Sequence, residues 1–138
     1  MQREQIVIIG SEKHSSLSLS LILRKAGFET ALLSSAREFI NWIESDSDAL
    51  DSIDLLIIDI NLPNYEDFGF LDAISECRGG FKVVILSGAI NRELARGLAS
   101  RGFKEIIDKP FDPEELVARV RQLLGKNRED QPLIRKAQ

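Results

Sequence analysis

Five times along this chain a short run of aliphatic, largely β-branched residues gives way to a stretch whose apolar residues recur every three or four positions. A continuous apolar run suits a strand covered on both faces, whereas the longer period suits a helix with one buried stripe. Residues 5–10 (QIVIIG) precede Leu19, Ile22, Leu23 and Ala26; residues 29–33 (ETALL) precede Ala36, Phe39, Ile40 and Ile43. The IDLLIID run from Ile53 precedes Phe70, Ala73, Ile74 and Cys77. Residues 81–87 (FKVVILS) precede Leu94, Ala95, Leu98 and Ala99, and residues 103–107 (FKEII) precede Leu116, Val117, Val120, Leu123 and Leu124. Helix boundaries are marked as well. Ser35 and Glu38 form a capping box, Asn91 and Asp112-Pro113 open helices, and Gly27, Gly79-Gly80, Gly102 and Gly125 close them. Parallel neighbours need a helical crossover between them, so five strand-then-helix units predict a three-layer, doubly wound α/β fold around a five-stranded parallel sheet.

At 138 residues and 43% hydrophobic content the chain has enough core for one domain without covalent staples. Its single cysteine, Cys77, excludes an internal disulfide, and no Cys/His cluster resembles a structural zinc site. That usage fits a reducing cytoplasm. A formal net charge of −4 gives no bulk attraction to nucleic acid or to anionic lipid, and no run is long enough for a signal-peptide core or a membrane span. The acidic, serine-rich residues 44–52 (ESDSDALDS) read as a solvated loop, with nothing in them that demands a metal. Residues 1–125 are expected to form the domain and residues 126–138 a polar tail or linker.

In a sheet of this kind ligands bind outside the carboxyl ends of the strands, where the winding reverses. Those ends carry Gly10, Ser11 and Glu12 after the first strand, Asp59 after the third, Ser87 after the fourth, and Asp108, Lys109 and Pro110 after the fifth. Each has an ordinary structural role available, Asp59 as a turn cap, Ser87 as a strand-end serine, Lys109 as a solvated cation. Together they are a carboxylate, a hydroxyl and an ammonium converging on one crevice. A carboxylate that ends an apolar strand needs a cation, which Lys109 or a metal would supply. These are the parts of a phosphoryl-transfer site, in which an aspartate oxygen attacks phosphorus and positive charge offsets the transferred group.

The motifs IDLLIIDINLP around Asp59, ILSGA around Ser87 and IIDKPF around Lys109 resemble the receiver domain of response regulators in two-component signalling, over residues 5–125. The resemblance implies a flavodoxin-like sheet of order 2-1-3-4-5. It further implies that Asp59 is the phosphoacceptor, Ser87 the hydroxyl that contacts the phosphoryl group, and Lys109 its charge partner. Mg2+ would be held by Asp59 and the backbone carbonyl of Asn61. Lys109-Pro110 would be a cis peptide, and Pro63 would sit in the turn after Asp59. The implied function is acceptance of a phosphoryl group from a histidine kinase or phosphotransfer protein, followed by switching of a surface read by an output protein or domain. Such a protein is a signalling domain and not an enzyme beyond its own phosphorylation and dephosphorylation.

The sequence departs from that pattern in three places. The two acidic residues usual after the first strand are replaced by Gly10 and Ser11, leaving Glu12, one position late, as the nearest candidate ligand for Mg2+. The loop 64–68 is longer than usual, and Glu66 or Asp67 within it offers a substitute carboxylate, with helix capping the plainer role for Asp67. Ile106 stands where an aromatic residue often couples phosphorylation to the output face, so switching would rely on the loop at Ser87, Gly88 and Ala89. The Gly10 and Ser11 replacement favours an alternative, a phosphorylation-independent pseudo-receiver acting as an interaction module. Other readings are weaker. Ser11, Ser15, Ser16 and Ser18 lack the glycine a flavin-phosphate loop needs, and His14 has no nucleophile elbow to serve a hydrolase. Cys77 reads as a small core residue and Trp42 as partly exposed. Arg92 and Arg96, four apart on the fourth helix, offer a charged face for a homodimer through helices four and five. With no output domain after the tail, the chain is expected to be either a single-domain regulator or a fragment of a longer protein.

Overall fold

Strand β1 (Gln5–Ile9) is the pivot of the sheet, paired in parallel on one side with β2 (Glu29–Leu33) and on the other with β3 (Leu55–Ile60). Strands β4 (Lys82–Ser87) and β5 (Ile106–Asp108) continue in parallel, giving the order β2-β1-β3-β4-β5 expected from the resemblance. The structure, a computed structural model, describes residues 3–60, 65–76, 80–88 and 92–125, with side chains omitted at 65–68. The expected tail at 126–138 lies outside them.

The two-residue period of the strands sorts the core into two layers. Val7, Ile9, Leu56, Ile58, Ile60 and Ile85 face one side, where they meet Phe39 of α2 (Ala36–Ser45), Leu71 and Ile74 of α3 (Tyr65–Ser75), and Leu94 and Leu98 of α4 (Arg92–Ser100). Ile6, Ile8, Leu55, Ile57, Val84 and Leu86 face the other, against Leu19 and Leu23 of α1 (Lys13–Lys25) and Leu116 and Val120 of α5 (Pro113–Leu123). Central strands β1 and β3 are buried on both faces, which is why their sequences carry almost no polar residue.

The predicted boundaries shift in instructive ways. The fifth strand begins at Ile106, three residues later than the apolar run suggested, because Phe103 turns into the α4 side of the core before the chain pairs with β4. Within residues 44–52, Ala49 is buried and Leu50–Ser52 form a single 3-10 turn, so this segment is partly core and not wholly a solvated loop. On α3 the inward residues are Leu71 and Ile74 while Ala73 is exposed, and on α4 Ala99 is exposed beside buried Leu94 and Leu98. Large aliphatic side chains win the inner stripe over alanine because they bury more surface. The caps at Ser35 and Asp112 form as expected, through Glu38 N–H to Ser35 Oγ at 3.2 Å and Glu114 N–H to Asp112 Oδ1 at 2.9 Å. Glu38 returns its own carboxylate to the N–H of Ser34 at 2.6 Å. Trp42 is half-buried, edge-on to Phe39. Cys77, Gly79, Ala89 and Asn91 lie outside the described residues.

Candidate functional site

Strand alternation brings the central pair together. Asp59 continues the parity of Leu55 and Ile57, and Lys109 that of Ile107, so both side chains rise on the α1/α5 side at the carboxyl edge of the sheet. The Lys109 ammonium donates to Asp59 Oδ1 at 2.7 Å. The Asp59 side chain is only 5% exposed against 26% for Lys109, so the carboxylate is held in a largely dry setting while the stem of its partner reaches in from solvent. Lys109 is fixed from below by its backbone, whose N–H donates to the Ser87 carbonyl at 3.0 Å. The Lys109-Pro110 peptide is cis, as the resemblance implied. Ser87 ends β4 opposite Ile60 and Asp108, fully buried at the strand end between the elements that carry the ion pair. Asp59, Ser87 and Lys109 therefore occupy three adjacent strand ends.

Asp59 lies between two clefts. One, of about 280 Å³, is lined by Gly10, Ser11, Ser34, Ser35, Asp59 and Phe70, among others. The second, on the α1/α5 side, is lined by His14, Ser15, Ser18, Asp59, Lys109 and Phe111 with flanking leucines. His14, set aside on sequence, thus faces the same crevice as the ion pair.

Glu12 sits at the mouth of the first helix as its N-cap. Its Oε1 accepts the Ser15 N–H at 2.7 Å. That backbone hydrogen bond, then one from the Ser15 side chain, holds the Glu12 carboxyl below its usual value, with smaller help from the charges of His14 and Lys109. Capping a helix is the role sequence reasoning had not weighed for this residue.

Gly10 follows β1 with its N–H bonded to the Leu33 carbonyl at 3.0 Å. A Cβ on it would lie 2.7 Å from Ser16 Oγ, 3.3 Å from Asp59 Cβ and 3.7 Å from Asp59 Oδ2. Ser16 is 5% exposed, and its Oγ has no hydrogen-bond partner among the described residues. Its place beside Asp59 was not singled out by its sequence setting, although counting back three positions from Leu19 puts it on the inner face of α1.

The family model for the response regulator receiver domain matches residues 6–121, and the chain belongs to that family. It is 29% identical over 136 residues to the DNA-binding response regulator MtrA of Mycolicibacterium smegmatis, covering 94% of this chain and 54% of that protein. It is 31% identical over 125 residues to the regulatory protein VanRc of Enterococcus gallinarum, covering 89% of this chain and 51% of the relative. The chain thus spans about half the length of these curated relatives. Among solved structures it resembles a CheY-like receiver domain protein from Methanospirillum hungatei, with TM-score 0.77, 23% identity, and coverage of 94% and 99% of the two chains. A response regulator from Thermotoga maritima gives TM-score 0.76 at 21% identity, with coverage of 90% and 99%.

Receiver domains generally bind Mg2+, an ion that demands near-octahedral oxygen ligands. The described residues here do not fit it. Asp59 brings one carboxylate, and Lys109 already holds one of its oxygens; Glu12 is turned to the helix backbone; position 10 has no side chain. No group of three acidic, histidine or cysteine side chains suited to a metal occurs among the described residues. Asn61 and Pro63, and the side chains of Glu66 and Asp67, lie outside them.

Proposed function

We propose that this receiver domain accepts a phosphoryl group on Asp59 from a histidine kinase or phosphotransfer protein. The observation that carries the reading is the 2.7 Å contact between Lys109 Nζ and Asp59 Oδ1, which leaves Oδ2 on the cleft side beside Gly10. Oδ2 attacks phosphorus as the P–N bond of a phosphohistidine breaks, and the departing imidazole nitrogen keeps the bonding electrons and takes up a proton. The acyl phosphate then carries dianionic charge next to the Lys109 ammonium, and the Ser87 hydroxyl offers a hydrogen bond to a phosphoryl oxygen. Rearrangement of the strand-end segment after Ser87 would change the surface near α4 and α5, where exposed Arg92 and Arg96 supply a charged face for an output partner or a second copy. Direct nucleic-acid binding is not part of this reading, given the net charge of −4. Among the described residues no helix is long and apolar enough to cross a membrane.

The test is intact mass after incubation with a small phosphodonor such as acetyl phosphate, with and without Mg2+, beside Asp59→Asn. One added phosphoryl group that the substitution abolishes is the expected result. No addition under any condition overturns the assignment. It would favour the second reading, a phosphate-independent interaction module, which Gly10 and Ser11 in place of an acidic pair, with Ser16 close-packed at Gly10, support.

A further inference from the structure

We propose that Gly10 and Ser16 form a steric lock that keeps a carboxylate, and with it a divalent cation, out of the Asp59 site. A Cβ at position 10 would stand 2.7 Å from Ser16 Oγ, closer than carbon and oxygen approach without a bond, so the hydroxyl occupies the space in which any side chain at position 10 must begin. Ser16 is buried on the inner face of α1, and its Oγ gains no hydrogen bond among the described residues from standing there. The remaining contact, 3.3 Å to Asp59 Cβ, needs a shift of only a few tenths of an ångström, so Ser16 is the larger obstacle.

The same distances say what the lock excludes. The ideal Cβ lies 3.7 Å from Asp59 Oδ2, the oxygen that Lys109 does not hold, so a carboxylate carried on it would sit beside that oxygen. Two such carboxylates repel unless a cation lies between them, and paired carboxylates are what a hard divalent ion requires. Gly10 alone therefore does not explain the shortage of carboxylates at the site. Ser16 makes the substitution hard to reverse by a single change, and the pair sets the metal dependence of the domain. This inference is independent of whether Asp59 takes a phosphoryl group.

The test compares wild type, Gly10→Asp, Ser16→Ala and the double variant by calorimetric titration with MgCl2 and by thermal melting in EDTA and in Mg2+. The double variant is expected to bind Mg2+ saturably and to melt higher in its presence. Gly10→Asp alone is expected to melt lower in EDTA than the double variant and to bind about tenfold or more weakly, the non-additivity of residues in contact. Wild type and Ser16→Ala should show no saturation at low millimolar Mg2+. Saturable binding by wild type, equal behaviour of Gly10→Asp and the double variant, or no binding by the double variant overturns the proposal. If the aspartate variants do not fold, Gly10→Ala with and without Ser16→Ala tests the lock through the Cβ alone. Recovery of the melting temperature in the pair supports it, and equal melting temperatures refute it.

Discussion

Removing either partner of the Asp59–Lys109 pair should affect stability very unequally. Two unit charges 2.7 Å apart attract by about 6 kcal/mol at an effective dielectric constant of about 20, a gain largely offset by the desolvation of Asp59. In Lys109→Met the carboxylate, 5% exposed, keeps its desolvation cost and loses its cation. Losing one member of a buried pair costs about 3–5 kcal/mol; because Lys109 is 26% exposed, water entering along its path reduces this to about 2 kcal/mol. In Asp59→Asn the lysine left behind can swing its ammonium into solvent, and the amide still offers an oxygen, so the cost should be under about 1 kcal/mol. Urea unfolding followed by far-UV circular dichroism measures the difference. With a slope of about 2 kcal/mol per molar urea, Lys109→Met lowers the midpoint by about 1 M and Asp59→Asn by less than half as much. Adding Asp59→Asn to Lys109→Met should restore most of the loss. Equal losses for the two single variants, or no recovery in the double, would refute the reasoning that a dry carboxylate dominates this site.

Phe39 is fully buried and edge-on to both Trp42 and Phe70, so Phe39→Ala should cost about 3–5 kcal/mol in urea unfolding and shift the emission of the single tryptophan. The lowered Glu12 carboxyl fixes the sign of a pH effect. Its contribution to stability is fully present above the unfolded value of 4.5 and is lost as pH falls through the lower folded value. Thermal melting across that range should therefore decline less steeply in Glu12→Gln than in wild type; parallel curves would rule out the cap as the cause.

The five alternations of strand and helix were legible because parallel strands buried on both faces leave no choice of residue type, as in LLIIDI of β3. Edges were harder to read. Phe103 has the same composition signal as a strand residue yet packs beside α4, since only pairing with β4 decides where β5 starts. The rule that chemistry gathers at strand carboxyl ends points to Asp59, Ser87 and Lys109 as candidates, and the structure brings Asp59 and Lys109 into contact. Ser16 escaped because its significance depends on a missing side chain at position 10, six residues away, and an absence carries no periodicity. Glu12 was read as a possible ligand for its charge, whereas the backbone N–H of Ser15, available at any helix start, claims it.

The ion pair also has a mechanical meaning. Asp59 belongs to an interior strand and Lys109 follows the outermost one, with β4 running between them, so the two side chains meet over roughly two strand spacings of about 4.8 Å each. The contact acts as a cross-brace over β4. It clamps down β5, which has only three residues and is half-buried at its two isoleucines. The short edge strand is thus tied to the interior of the sheet by a side-chain contact as well as by its backbone pairing with β4.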